Sequence, residues 1–240
     1  MKLTVRLFAH LRERAGRPEI RLEDLAEDLD VAGLKREIER REPALGSLAR
    51  VRGAVGTEYV PETRRLADGE TVSLIPPVSG GATGPSGSSI DPTEALRRGV
   101  FELREGPLDP ARAHERVRDP AFGAVATFTG TTRAENQGKR VVRLEYEAFA
   151  EMTAPEMGRI FDRCRETVAT SRERELRMVV MHRVGVVQVG EASVAIAVAS
   201  PHRDAAFAAC RFLIDELKRS LPIWKKEIYT DGAAWIAERS

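Results

Sequence analysis

The chain has 240 residues, 42% hydrophobic and 31% charged, with a formal net charge of +1. This length is enough for two domains, each with its own core. The balanced charge excludes a polybasic protein that binds nucleic acid or a membrane surface. No apolar run reaches the roughly 20 residues of a membrane span. Charged residues interrupt the start of the chain, which excludes a secretory signal, and we therefore expect a cytoplasmic protein.

The first 75 residues show the pattern of a small mixed fold. Alternating or short apolar runs predict strands at 2–8, 19–23, 51–55 and 71–75. Asp30 is a suitable N-cap for a helix to Arg40, with Val31, Leu34 and Ile38 on one face and Pro43 as its stop. Two strands, a helix and further strands in this order indicate a β-grasp domain.

A linker follows this first domain. Of the 17 residues at 76–92, 12 are proline, glycine or serine, a composition typical of a domain boundary. We predict a first domain at 1–81, a linker at 82–92 and a second domain at 93–240. The glycines of the linker do not form a phosphate loop, because the Lys-Ser/Thr ending is missing.

Strands and helices mix in the second domain without a regular βαβ rhythm, which favours an α+β fold over a doubly wound sheet. A capping box, Thr153 to Glu156, predicts the start of a helix that ends near Thr170. Ser200-Pro201 is expected to cap a helix that ends at Ser220. Strands are predicted at 100–104, 123–131, 141–149, 176–183, 193–199 and 224–229, and a short helix after Asp109. We expect strand 141–149 to pair with strand 123–131.

The two cysteines are predicted to be core residues. Cys164 and Cys210 each fall on an apolar helical stripe, where a buried thiol is more common than a catalytic or metal-binding one. Two cysteines also exclude a disulfide scaffold. The four histidines and two cysteines show no metal-ligand spacing, so no metal site is expected.

The best candidate anion site is Ser200-Pro201-His202-Arg203, where a strand end meets a helix start. Free backbone N–H groups, the helix dipole, an imidazole and a guanidinium would converge there. The alternative is an ordinary helix cap with two exposed side chains.

Two lysines and two arginines complete the candidates. Lys218 and Lys225 lie near the end of the same helix, where a lysine can donate or accept a proton if burial lowers its pKa. Lys218 could instead be a solvated partner of Asp215 on one helical face. Arg133 follows a strong strand, in a loop that could hold a ligand or be solvated. Arg239, near the end of the sequence, shows no local signal.

Taken together, these segments resemble molybdopterin synthase, with its small sulfur-carrying and large catalytic subunits joined in one chain. The first domain resembles the small subunit in Val5-Arg6-Leu7-Phe8-Ala9, in 66–72 (LADGETV) and in the tail at 76–81 (PPVSGG). The second resembles the large subunit at 123–133, in His182-Arg183-Val184-Gly185, at 200–203 and at 217–227. The resemblance covers almost everything except the linker.

The resemblance implies a β-grasp domain, an α/β hammerhead domain that forms a homodimer, and an enzyme that needs no cofactor. The implied sulfurtransferase reaction converts cyclic pyranopterin monophosphate to molybdopterin, with sulfur from a thiocarboxylate on Gly81. Lys218 and Lys225 match the active-site lysines of the family. His202, Arg203 and Arg133 match substrate-pocket positions. Arg239 matches an arginine that one subunit of the dimer contributes to the site of the other. A separate adenylating and sulfur-loading enzyme of the MoeB type is implied as a partner, because the chain has no nucleotide loop of its own.

One feature departs from the family. In two-chain synthases the di-glycine is a free carboxyl terminus, whereas here Gly81 is followed by Ala82 and a second domain. We expect a host protease to cut after Gly81, since Ala82 offers no nucleophile for self-cleavage, and the cut product to be heterotetramer-like. In one alternative the fusion stays whole, with its first domain a docking or regulatory module and sulfur from another carrier. In another, the first domain is a protein modifier and the second binds without catalysis.

Overall fold

The computed structural model describes residues 1–77, 92–168 and 175–236. These residues fall into two compact units, the first within Met1–Val78 and the second within Ser79–Arg239. Within the described ranges, no helix is long and apolar enough to cross a membrane. The predicted linker lies outside the described residues except for Pro92, which begins a helix.

The first unit is a β-grasp, as predicted. Its sheet has the order β2-β1-β5-β3-β4, with β1 parallel to β5. The strands are β1 (Leu3–Leu7), β2 (Glu19–Leu22), β3 (Arg52–Val55), β4 (Glu58–Val60) and β5 (Thr71–Ile75). The helices are α1 (Ala9–Ala15), α2 (Val31–Arg41) and a 3-10 turn at Pro43–Leu45. Asp30 caps α2 by accepting a 2.7 Å hydrogen bond from the Gly33 N–H, which confirms the predicted helix start.

The second unit is an α+β domain, again as predicted. Its strands are β6 (Val100–Glu105), β7 (Ala124–Thr131), β8 (Glu135–Asn136), β9 (Lys139–Ala148), β10 (Arg177–Gln188), β11 (Ala192–Ser200), β12 (Ile223–Tyr229) and β13 (Gly232–Ile236). Its helices are α3 (Pro92–Arg98), α4 (Pro110–Val117), α5 (Ala150–Val168) and α6 (Arg203–Ser220). The main path through the sheet is β13-β12-β9-β10-β11-β7, so β7 lies at one edge.

Both faces of β11 are buried, which explains its unbroken apolar sequence. Alternate residues of β11, Val194, Ile196 and Val198, pack under α5 and α6. The intervening alanines, Ala195, Ala197 and Ala199, pack in a second cluster with Ala113 and Val117 of α4. The two faces of this strand therefore fix the helices on opposite sides of the sheet.

The cysteine prediction is confirmed. Cys164 of α5 and Cys210 of α6 are free, buried and part of the same core cluster. Burial raises the pKa of the Cys164 thiol to about 12 and that of the Cys210 thiol to about 11. Neither thiol is therefore a nucleophile at neutral pH.

The predicted pairing of strand 141–149 with strand 123–131 is wrong. β9 pairs with β10 and β12, whereas β7 pairs with β11. The reason is a tight hairpin, because the chain turns at Gln137 and Gly138, both with positive φ, and lays β9 against β8. The local pairing with β8 turns β9 away from β7.

The predicted capping box at Thr153 is also wrong. α5 begins three residues earlier, at Ala150, and the Phe149 carbonyl accepts its first hydrogen bonds from the N–H groups of Met152 and Thr153. Thr153 is buried, and its hydroxyl donates to the Ala150 carbonyl at 3.0 Å. Phe149 is also buried, and this core contact places the helix start upstream of the sequence signal.

Candidate active site

The candidate anion site lies where β11 ends and α6 begins. His202, rather than Ser200, is the N-cap residue of α6, and its side chain makes no capping hydrogen bond. Ser200 holds the turn instead, since its hydroxyl accepts from the His202 N–H at 3.2 Å and donates to the His202 carbonyl at 2.6 Å. The turn therefore leaves the imidazole of His202 exposed beside the helix start.

A shallow pocket of about 470 Å³ opens at this turn. It is lined by Gly123, Ala124, Pro201, His202, Arg203 and Asp204. The Asp204 carboxylate lies 3.8 Å from Arg203 with both side chains exposed, so this pair is weak and solvent-screened. The structure thus brings His202 and Arg203 together at a helix N-terminus, an arrangement that suits an anion.

Gly123 allows the backbone before β7 to lie close to the turn at Pro201. A Cβ atom at position 123 would lie 2.9 Å from the Pro201 carbonyl oxygen. We expect Gly123→Ala to lower the free energy of unfolding by about 1–3 kcal/mol, because backbone on both sides of the contact has to move. Urea unfolding measures the effect, and a variant as stable as the wild type would show that the two segments can separate freely.

Lys218 lies in a groove between α6 and the edge strand β7. The groove has a volume of about 350 Å³ and is lined by Ala126, Thr127, Phe128, Phe207, Cys210, Arg211, Ile214, Asp215 and Lys218. Asp215 forms its ion pair with Arg211, at 2.6 Å. Across the described part of the chain, Lys218 itself has no ion pair. The alternative of Lys218 as a partner of Asp215 is therefore not what the structure shows.

Arg133 and Lys225 are connected by two residues, Asn136 and Glu227, that were not candidates from the sequence. Arg133 donates to the Asn136 side-chain oxygen at 3.0 Å, and Asn136 donates to Glu227 at 2.9 Å. Glu227 also pairs with Lys225 at 2.9 Å and accepts from the Tyr229 hydroxyl at 2.7 Å. We call Arg133, Asn136, Lys225, Glu227 and Tyr229 the carboxylate cluster, after its buried centre, Glu227.

The carboxylate cluster keeps Glu227 ionised. Burial by itself would raise the pKa of the Glu227 carboxyl, but hydrogen bonds from Tyr229, Lys225 and Asn136 outweigh burial and lower it. Lys225 therefore faces a fixed negative charge and is itself mostly buried, with 15% of its side chain exposed. The result is a lysine held in one place beside the Arg133 loop.

His202 and Arg203 lie at the start of α6, and Lys218 lies near its end. Arg203 and Lys218 are 15 positions apart on α6, which corresponds to about 22 Å at 1.5 Å per residue. β7 extends in the same direction as α6, since its first residue, Ala124, lines the His202 pocket and Phe128, further along, lines the Lys218 groove. The loop with Arg133 follows the far end of β7, so it continues past the groove end rather than toward His202. Arg239 and Gly81 lie outside the described residues.

In the motif His182-Arg183-Val184-Gly185, the first two residues are buried, and the motif lies where β10 changes its partner strand. Along one edge of β10, β6 pairs up to Val184 and β9 takes over from Gly185. At this change of partner strand, the Arg183 guanidinium donates a 2.7 Å hydrogen bond to the Glu191 carboxylate and another to the Val186 carbonyl. Burial lowers the pKa of His182 to about 4, so its ring is neutral and Nδ1 donates to the Arg183 carbonyl at 2.9 Å. We infer that this motif stabilises the sheet and has no direct role in the reaction.

Comparison with known proteins matches each part of the chain to a family. Residues 5–81 match the ThiS family, and residues 103–220 match the family described as MoaE protein. A molybdopterin synthase catalytic subunit from Oryza sativa subsp. indica is 47% identical over 140 residues, which are 58% of this chain and 70% of that protein. The chain belongs to the molybdopterin synthase family. It carries a segment of the ThiS family and a MoaE segment in one polypeptide.

Other relatives agree with this family. The molybdopterin synthase catalytic subunit of Bacillus subtilis is 40% identical over 139 residues, 58% of this chain and 85% of that protein. A crystal structure of molybdopterin synthase from Staphylococcus aureus is 34% identical, with a TM-score of 0.51, and covers 57% of this chain and 96% of its own. The chain is therefore an enzyme of molybdopterin biosynthesis with a ubiquitin-like domain fused to the MoaE domain.

Proposed function

We propose that this synthase is a sulfurtransferase that builds the dithiolene of molybdopterin on cyclic pyranopterin monophosphate. The sulfur comes from a thiocarboxylate on Gly81 of the carrier segment. The observation that carries this proposal is the presence of a ThiS-type segment that ends at Gly81 and a MoaE segment in the same chain. The groove that contains Lys218, together with Arg133 and Lys225 of the carboxylate cluster, supplies the cationic groups that this reaction needs.

The phosphate of the substrate gives the His202 pocket a role. A guanidinium beside a helix N-terminus binds a phosphate by charge-assisted hydrogen bonds. Lys218 is about 22 Å from this pocket along α6, so one small substrate does not reach both in one copy. We propose that a homodimer through the MoaE segment combines His202 and Arg203 of one copy with Lys218, Lys225 and Arg133 of the other, and that Arg239 also joins across the dimer.

Lys218 acts on the charge that develops during transfer. When sulfur replaces oxygen on the pterin side chain, negative charge builds on the departing oxygen, and a nearby ammonium stabilises it or protonates it. Lys218 lies in an apolar-walled groove open to solvent, where such a charge is stabilised more strongly than in bulk water. Lys225, fixed by Glu227, supplies a second positive charge near Arg133.

Release of Gly81 precedes sulfur loading. A thiocarboxylate forms only on a free carboxyl group, so the bond between Gly81 and Ala82 has to be cut. We propose that a host protease cuts it, and that an adenylating enzyme of the MoeB type then activates and loads Gly81. Each carrier brings one sulfur and the dithiolene needs two, so exchange of free carriers is faster than exchange of a tethered domain at high effective concentration.

The alternative is an uncut fusion in which the first domain docks or regulates and another carrier supplies sulfur. The test uses the full chain, cyclic pyranopterin monophosphate and a separately made thiocarboxylated carrier ending at Gly81, with dithiolene formation measured by mass spectrometry. The first unit encloses its own core, which supports making it separately. Sulfur transfer shows that the second segment is catalytic under either scheme, and Gly81→Ala then separates the cut chain from the uncut fusion. A chain that binds the pterin without transfer is a binding module instead.

The thiols take no part in this reaction, because sulfur arrives on the carrier. With thiol pKa values of about 12 and 11, Cys164 and Cys210 are protonated at pH 7. We expect both to resist iodoacetamide in the folded protein and to react in denaturant, as read by intact mass. Cys164→Ala should lower the free energy of unfolding by about 1–2 kcal/mol without changing the transfer rate. Rapid labelling of the native protein with loss of activity would contradict this.

A further inference from the structure

Asn136 makes the contact that joins the Arg133 loop to β12. Its side-chain oxygen accepts from the Arg133 guanidinium, and its side-chain nitrogen donates to Glu227, which is 91 residues away in sequence. Asn136 is itself buried, at 9% exposure. A primary amide accepts and donates at adjacent positions in one plane, which is what this bridge between a cation and an anion requires.

The backbone fixes the Asn136 side chain in this position. Asn136 pairs with Lys139 across the two-residue turn at Gln137 and Gly138, both of which have positive φ. The Val141 N–H donates to the Ala134 carbonyl at 2.9 Å and closes the base of the hairpin. The hairpin therefore aims the amide at Glu227 through a rigid local structure rather than a long loop.

The charges around Glu227 make this amide important. Lys225 and Tyr229 approach Glu227 from β12, and Asn136 approaches it from the hairpin. Burial raises the pKa of Tyr146 of β9, and the nearby Glu227 charge raises it further. If the Asn136 nitrogen did not donate, one lone pair of a buried carboxylate would lose its partner.

We propose that Asn136 is a positioning residue for sulfur transfer, holding Arg133 and the Glu227–Lys225 pair in one arrangement. This inference rests on the proposed function. Asn136 touches neither the substrate nor the carrier in this scheme. It sets the distance between the guanidinium that binds the substrate and the lysine that faces the developing charge.

Asn136→Asp tests the proposal, because it keeps the shape and the acceptor for Arg133 but replaces the donor to Glu227 with a second carboxylate. Two close carboxylates repel, so the Glu227 pKa should rise and Lys225 should lose its fixed partner as the pH falls. We expect the acid limb of kcat to move up by about one pH unit. The new ion pair with Asp also occupies Arg133, so KM for the pterin should rise about tenfold.

The readouts separate positioning from loss of fold. Glu135→Gln, an exposed neighbour in the same hairpin, is the control and should match the wild type in KM and pH profile. The carboxyl carbon-13 titration of Glu227, assigned with Glu227→Gln, should move to higher pH in Asn136→Asp whether or not the chain is active. A folded Asn136→Asp with unchanged titration, KM and pH profile overturns the inference. A wild-type chain that transfers no sulfur overturns the proposed function and this inference with it, which is a different result.

Discussion

Replacing Lys218 with alanine is expected to lower the rate of sulfur transfer by about 100- to 1,000-fold, the effect typical of removing one group that stabilises transition-state charge. Lys218 is exposed at the end of α6, and no ion pair of the described residues includes it, so the variant should unfold at the same temperature as the wild type. The loss should appear in kcat at saturating carrier and pterin, because the ammonium acts mainly on the developing charge.

Arg219→Ala is the matched control for Lys218→Ala. Arg219 is the next residue on α6, is also cationic and pairs with Glu216. It is not part of the groove lining. Its replacement should change the rate by less than about threefold, because Arg219 is outside the groove and the buried Glu216 keeps Arg163 as a partner at 3.0 Å. Equal losses of rate in the two variants would show that the total positive charge of α6, rather than Lys218 itself, affects the reaction. An unaltered rate in Lys218→Ala would remove Lys218 from the catalytic residues.

Protein purified from its own host is expected to consist of two fragments, one ending at Gly81 and one beginning at Ala82. The reason is chemical, because a carboxyl group in a peptide bond can be neither adenylated nor thiolated. Intact mass spectrometry of an active preparation reads the result directly. The uncut 240-residue chain should show no sulfur transfer on its own and should become active when thiocarboxylated carrier is added.

Gly81→Ala separates this scheme from the uncut fusion. If Gly81 carries the sulfur, Gly81→Ala should lower transfer by the chain's own loaded carrier but leave transfer from an added wild-type carrier unchanged. If the first domain only docks or regulates, both rates should be unchanged. An active preparation that contains only the uncut chain would contradict the cleavage proposal.

The secondary structure that the sequence predicted well is that set by local signals. Asp30 and Asp109 both cap helices as expected, through hydrogen bonds of 2.7 and 3.0 Å from the N–H groups of Gly33 and Ala111. The capping signal at Thr153 failed because a core contact outweighed it. Phe149 and Thr153 are both buried, and the Phe149 carbonyl starts the helix. A local signal decides a helix end only where burial does not compete with it.

The candidate site shows the same division. The residues named from the sequence, Arg133, His202, Arg203, Lys218 and Lys225, could be found because they stand in motifs of a known family. Asn136 and Glu227 could not be assigned a role, because their contact spans 91 residues and no local pattern reports it. The strand pairing that creates this contact depends on the hairpin at Gln137 and Gly138.

The sequence by itself determined the fold class of each part and the family, because apolar periodicity and the motifs are local properties of the chain. It also raised the question of how Gly81 becomes free, since Ala82 follows it in the chain. The tertiary structure decided which charges meet. It placed His202 and Lys218 at opposite ends of α6 and joined Arg133 to Lys225 through a buried carboxylate. Distance and burial set the strength of such interactions, and both arise only when the chain is folded.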